Sequence, residues 1–187
     1  MCVLIVKYPN IELPSKKVMN ACMAANPHGF GFATPTKFFK TLDRSEFLRE
    51  LYKIDVSEPC IIHCRWATHG SVKTDNCHPF VNDSMYFAHN GVLNIQSVND
   101  MTDSQIFFNS VYPFIKDKGF CTKTNNLINK YRGSSRFAFL DAKTQTIYTF
   151  GEFTAIDGVL FSNTRWQAQM FNTKRVTRFA NYYNDIF

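Results

Sequence analysis

Three short segments of this chain hold residue types that do chemistry together. Cys2 follows the initiator methionine, and the runs His63-Cys64-Arg65-Trp66-Ala67-Thr68-His69-Gly70 and Ala88-His89-Asn90-Gly91 follow downstream. Cysteine is small enough to permit removal of Met1, which would leave a thiol and a free α-amine on one residue. An α-amine titrates near pH ~8, so part of it can accept a proton at neutral pH. A thiol with a pKa near ~8.5 needs such a base to become a strong nucleophile. Taken alone, Cys2 also reads as the start of a buried strand; the downstream segments favour chemistry. Arg65 offers a planar fork suited to a carboxylate. Asn90-Gly91 at a strand end can present a side-chain amide and an unhindered backbone N–H to one oxygen, as an oxyanion hole requires. Together these point to acyl transfer from an amide or thioester through a cysteine.

The elements that must position them follow from patterning. Val3–Lys7 is apolar and β-branched, a buried strand that starts beside Cys2. Ser15–Ala25 reads as a helix with Val18, Met19, Cys22 and Met23 as its apolar stripe, stopped by Asn26-Pro27-His28-Gly29. Phe30–Ala33 and Lys37–Lys40 form a strand pair, and Asp43 with Glu46 resembles a capping box ahead of Phe47, Leu48, Leu51 and Tyr52. Cys60–His63 and Met85–Ala88 are strands leading into the two polar motifs. Thr102 with Gln105 caps a helix carrying Ile106, Phe107, Val111 and Phe114. After a polar stretch come strands at Phe137–Leu140, Thr146–Phe150 and Val159–Ser162. Phenylalanines 107, 108 and 114 are expected in the core. The order implies helices packed on antiparallel sheets in one continuous α+β domain.

Composition bounds the answer without choosing it. The 187 residues, 45% hydrophobic with 19 phenylalanines, suffice for one sizeable core, and a single domain spanning 1–187 is expected. No run of about 18 apolar residues exists, so no transmembrane helix is predicted. MCVLIVKYPN has neither basic leader nor small-residue cleavage site, so a cytoplasmic protein is expected, with its six cysteines reduced. The net charge of +6 is dispersed, densest at Arg165, Lys174, Arg175 and Arg178. A solvated face or a protein-docking patch explains it better than a nucleic-acid surface. Cys60, His63, Cys64, Cys77 and His78 make a poor zinc site. On a strand, Cys60 and Cys64 share one face while His63 takes the other, and the spacing is irregular. No metal and no cofactor are expected.

On these residues the chain resembles the class II (N-terminal cysteine) glutamine amidotransferases of the Ntn-hydrolase superfamily. The matching residues are Met1-Cys2, HCRWATHG at 63–70, Asn76-Cys77-His78-Pro79, and HNG at 89–91. Arg65 and His78 lie 13 positions apart, and His78 and Asn90 lie 12 apart, as in the family. Asn26-Pro27-His28-Gly29-Phe30-Gly31-Phe32 resembles the family's glycine–aromatic segment. Tyr131-Arg132-Gly133 and Phe161-Ser162-Asn163-Thr164 resemble its C-terminal strands.

The resemblance implies a four-layer αββα sandwich, with Cys2 at a strand end as nucleophile and its α-amine as base. It implies that the Asn90 side chain and Gly91 N–H stabilise the oxyanion and that Arg65 binds the α-carboxylate of glutamine. Trp66, Thr68 and His69 would belong to the closing loop, and His78 would support the pocket. Asp103, in Thr102-Asp103-Ser104-Gln105-Ile106, matches the aspartate that binds the α-amine, with Asp100 as the alternative. Glutamate and ammonia would be the products, the ammonia passing to a separate synthase or acceptor-activating subunit. The basic, aromatic tail from Arg165 to Phe187 is a candidate docking surface for it.

Two departures stand out. Val3 replaces the glycine that many members place after the nucleophile, and only 13 positions separate Asn90 from Asp103. Two other readings stay open: hydrolysis of a different γ-glutamyl amide without ammonia transfer, and a non-catalytic subunit that keeps the fold. A retained Met1 would favour the latter. His89 reads equally as the residue orienting the Asn90 turn or as a satisfied structural histidine, and His28 reads as a turn residue. Cys22 belongs to the core; Cys121 has no assigned partner.

Overall fold

Strand β1 (Val3–Lys7) is buried at all five positions, and its alternation builds two cores at once. Val3 and Ile5 face one side and Leu4 and Val6 the other. The computed structural model in which this is seen describes residues 2–67, 71–97 and 101–171. The further elements are helix α1 (Lys16–Ala25), strands β2 (Phe30–Ala33) and β3 (Phe38–Thr41), helix α2 (Arg44–Leu51) and strand β4 (Cys60–Cys64). A 3-10 turn at Thr74–Asn76 precedes β5 (Phe80–Asn82) and β6 (Met85–Asn90). Helices α3 (Asp103–Lys118) and α4 (Thr122–Arg132) lead to β7 (Arg136–Asp141), β8 (Thr146–Phe150), β9 (Thr154–Ile156) and β10 (Val159–Phe161).

The strands form two antiparallel sheets, ordered β3-β2-β4-β1-β10-β9 and β5-β6-β7-β8. Three apolar layers show how they stack. Val3, Ile5, Cys60, Ile62 and Cys64 pack on Met19, Cys22 and Met23 of α1 and on Phe47 and Leu51 of α2. Leu4, Val6, Ala33 and Ile61 meet Ala88, Ala138 and Leu140 between the sheets. Phe87, Phe137 and Phe139 of the second sheet meet Phe107, Phe108, Val111 and Ile128 of α3 and α4. Each such side chain, fully buried, contributes about 1.5–3 kcal/mol. The result is an α+β sandwich layered helix–sheet–sheet–helix, as expected. The small alanines between the sheets allow their close approach.

Caps fix where helices begin. Ser15 caps α1 by accepting from Val18 N–H, and Thr102 and Gln105 make the reciprocal capping box of α3. At α2 only half of the box forms. Asp43 accepts from Glu46 N–H, but the Glu46 carboxylate accepts from the Thr41 hydroxyl, whose oxygen takes the Asp43 N–H instead.

Three expectations need correction. Phe114 is 50% exposed, because the buried stripe of α3 runs through Phe107, Phe108, Val111 and Ile115 and leaves it on the outer face. The polar stretch after α3 contains the whole of α4, which buries only Thr124 and Ile128. Strands β5 and β9 are short additions at sheet edges. Lys7 is an unforeseen feature at the end of β1: fully buried, it donates from Nζ to the carbonyls of Val56 (2.7 Å) and Glu58 (2.6 Å). No helix among the described residues is long and apolar enough to cross a membrane.

Candidate active site

Antiparallel pairing of β1 with β4 sets Val3 opposite Cys64, so Cys2 lies beside the chain that leaves β4 toward Trp66. Cys2 Sγ accepts from Trp66 N–H at 3.2 Å and donates to the Trp66 carbonyl at 3.4 Å. The Cys2 carbonyl accepts from Asn163 Nδ2 at 2.8 Å. Burial pushes the thiol above its ordinary pKa, while Trp66 N–H and the Arg65 charge pull it back without cancelling the rise. At neutral pH the sulfur is therefore mainly a thiol and needs a base to react.

Cys2, Arg65, Trp66, His78, Gly91 and Asp103 line one cleft of about 600 Å³. Arg65 is 5% exposed, and its Nη1 donates to the Ser71 carbonyl at 3.1 Å. Asn76 Nδ2 donates to that same carbonyl at 3.1 Å, tying the loop after residue 70 to the arginine. Trp66 is 41% exposed at the cleft mouth, its ring 4.9 Å from that of His28. His28 Nδ1 accepts from Ala67 N–H at 2.9 Å, so the expected turn residue also holds the chain just after Trp66. Thr68 and His69, assigned to that loop from sequence, lie outside the described residues, as does Asp100.

Three buried histidines cluster at the cleft, and His78 and His89 line it. His63 Nε2 donates to the His89 carbonyl at 3.1 Å, and the His63 ring lies 4.4 Å from that of His78. Neither ring nitrogen of His78 has a partner among the described residues. Burial lowers all three pKa values: His63 to about 3, His89 to about 4, and His78 well below the ordinary range. All three are neutral at pH 7. The Ser104 hydroxyl donates to Asp103 Oδ1 at 3.1 Å, so the 2.8 Å contact to His89 Nδ1 is a donation from the imidazole. His89 thus acts through Ser104 on Asp103.

Asp103 is the first residue of α3. Its Oδ2 accepts from Leu93 N–H at 2.9 Å and its Oδ1 from Ser104 N–H at 2.7 Å. Two carboxylate oxygens offer about four acceptor positions, so capacity remains for a cation in the cleft.

Asn90 and Gly91 end β6. Gly91 has φ +149°, and a Cβ there would lie 2.1 Å from Ser135 Oγ, so only glycine fits. Asn90 is 2% exposed and, by strand alternation from Ala88, points toward the first sheet. Its amide end assigned as Nδ2 lies 2.7 Å from Ser162 Oγ; its Oδ1 end is buried without a partner among the described residues. Sequence reasoning gave Ser162 and Asn163 no individual role, although Phe161-Ser162-Asn163-Thr164 had been matched as a segment.

A half-buried thiol, a cation and an anion line one cleft, an arrangement with the charge pattern of a small zwitterion. The family model for class-II glutamine amidotransferases matches residues 36–180. The chain is 33% identical over 135 residues to a glutamine–fructose-6-phosphate aminotransferase of Lactococcus lactis, covering 63% of this chain and 22% of that protein. With the corresponding Streptococcus pyogenes serotype M6 protein it shares 31% over 126 residues, 58% of this chain and 21% of the relative. The chain belongs to the class II glutamine amidotransferases, a family of enzymes. It spans about a fifth of the length of these curated relatives.

Proposed function

We propose that this chain hydrolyses the side-chain amide of glutamine through a γ-glutamyl thioester on Cys2. The observation that carries the reading is the seating of the Cys2 thiol in one cleft with Arg65 and Asp103. These are complementary to the α-carboxylate and α-ammonium of a free amino acid. Removal of Met1 exposes the Cys2 α-amine, which takes the thiol proton as sulfur attacks the amide carbon. The Asn90 amide and Gly91 N–H stabilise the tetrahedral oxyanion. The protonated amine then gives its proton to the leaving nitrogen, and ammonia departs. Water adds to the thioester, the C–S bond breaks, and glutamate leaves with the thiol restored. Trp66, Thr68 and His69 close over the substrate, and His78 backs the pocket.

In this reading residues 1–187 act as one domain in the cytoplasm, without a cofactor. The ammonia goes to a separate acceptor-activating subunit, and the dispersed positive charge fits a docking or solvated face better than a nucleic-acid surface. The large share of the relatives' length beyond the matched region supports a division of labour between amide hydrolysis and acceptor chemistry.

The test is intact mass before and after incubation with a diazo-ketone analogue of glutamine. Loss of the Met1 mass, followed by a single adduct absent from Cys2→Ala, is the expected result. A processed chain that takes no adduct from this analogue, yet is labelled by iodoacetamide, would shift the substrate to another γ-glutamyl amide. Retention of Met1 would overturn the mechanism.

A further inference from the structure

We propose that Ser162 is a positioning residue for the oxyanion hole: its hydroxyl donates to Asn90 and turns the amide N–H groups toward the reacting oxygen. The inference rests on the oxyanion role given to Asn90 above. Ser162 Oγ has two close neighbours, Leu4 N at 2.9 Å and the near end of the Asn90 amide at 2.7 Å. Leu4 N–H can only donate, so the hydroxyl accepts there. With Nδ2 facing Ser162, the hydroxyl accepts twice and its own hydrogen has no acceptor in that pair of contacts. Asn90 Oδ1 is then a buried acceptor without a partner among the described residues. The two ends of a carboxamide have nearly the same shape, and only hydrogen bonding distinguishes them. Exchanging them pairs the hydroxyl hydrogen with the amide oxygen: Ser162 accepts from Leu4 and donates to Asn90 Oδ1. The amide nitrogen then occupies the buried position, where no acceptor lies among the described residues. An N–H held there takes the substrate oxygen as its acceptor, and the bond strengthens as that oxygen gains charge.

The backbone makes Ser162 a suitable anchor. Its N–H donates to the Leu4 carbonyl at 2.9 Å, and the adjacent Asn163 holds the Cys2 carbonyl. Asn90 belongs to one sheet and Leu4 to the other. One hydroxyl therefore sets the oxyanion donor in register with the strand that bears the nucleophile, across the gap between sheets.

The test is glutaminase kinetics for wild type, Ser162→Ala, Ser162→Thr, Asn90→Ala and the Ser162→Ala/Asn90→Ala double variant, with iodoacetamide alkylation of Cys2 alongside. Ser162→Ala is expected to lower kcat roughly 10- to 100-fold with KM within about twofold, as for an interaction made in the transition state. Ser162→Thr keeps the hydroxyl and should stay within about threefold of wild type. In the Asn90→Ala background, Ser162→Ala should cost less than about twofold more, because the two act as one unit. Alkylation of Cys2 should be unchanged. Wild-type kcat in Ser162→Ala, or its full loss repeated without Asn90, would overturn the inference while leaving the oxyanion role intact. Wild-type turnover in Asn90→Ala would instead remove the oxyanion role and the inference with it. Should Ser162→Ala not fold, Ser162→Cys keeps the shape with a weak donor; a kcat loss of roughly tenfold supports the inference and wild-type kcat overturns it.

Discussion

A Cβ placed on Gly31 would lie 2.2 Å from the carbonyl oxygen of His78. Strand β2 and the segment leading into β5 thus touch backbone to backbone, right at His78, whose ring lines the cleft. Gly31→Ala must push a carbonyl, not a flexible side chain. Overpacking of this kind costs about 1–3 kcal/mol. A fall in Tm of roughly 2–12 °C is expected by calorimetry. An unchanged Tm would show that the segment yields freely.

The buried histidines make stability depend on pH. Their folded pKa values are about 3 for His63, about 4 for His89 and well below normal for His78. The unfolded chain protonates them near pH ~6.5. Below that value the unfolded state binds more protons, so stability is full above pH ~6.5 and falls as pH drops. Each histidine contributes a slope approaching about 1.4 kcal/mol per pH unit, and three together about 4. Urea midpoints measured between pH 6.5 and 5, above the range where most carboxylates titrate, should decline steeply. His78→Asn should flatten the decline, whereas a flat wild-type profile would mean that these rings are hydrated.

Arg65→Lys exchanges a fork for a point charge. Lysine cannot both hold the Ser71 carbonyl and grip a carboxylate side-on. KM for glutamine should rise about tenfold while kcat stays within about threefold. An unchanged KM would take the α-carboxylate away from Arg65.

His28→Ala removes the acceptor for Ala67 N–H and the ring beside Trp66. The chain at Trp66 and Ala67 should loosen, lowering kcat/KM by roughly 3- to 10-fold if it closes over substrate as proposed. In a Trp166→Phe background, Trp66 is the remaining tryptophan, and acrylamide quenching of its emission should increase. Equal quenching with lost activity would point to a direct role for the imidazole instead.

What could be read before folding followed short-range signals. The alternation of β1, the Ser15 and Thr102 caps and the runs before both polar motifs are local, and each element was found within a few residues. Helix α4 escaped because Thr122–Arg132 offers only Leu127 and Ile128 as large aliphatic residues among threonines, lysines and asparagines. Its helicity comes from packing against α3 rather than from its own pattern. Phe114 was misplaced because it fits an apolar period that the sheet beneath does not use. In the site, residue chemistry singled out Arg65 and the Asn90 pair, and resemblance added Asp103. The supports are long-range: Ser162 meets Asn90 from 72 positions away and Asn163 meets Cys2 from 161. No local pattern encodes such contacts.

The two ends of β1 are tethered differently, Lys7 to the carbonyls of Val56 and Glu58, and Cys2 by its own carbonyl to Asn163. Between fixed ends the strand works as a ruler whose residue count decides where the sulfur emerges. Side chains alternate faces, so inserting or deleting one residue would carry the thiol half a period and deliver it among the α1 methionines. In the proposed mechanism the odd or even count of residues along these five positions is therefore as strict a requirement as the cysteine itself.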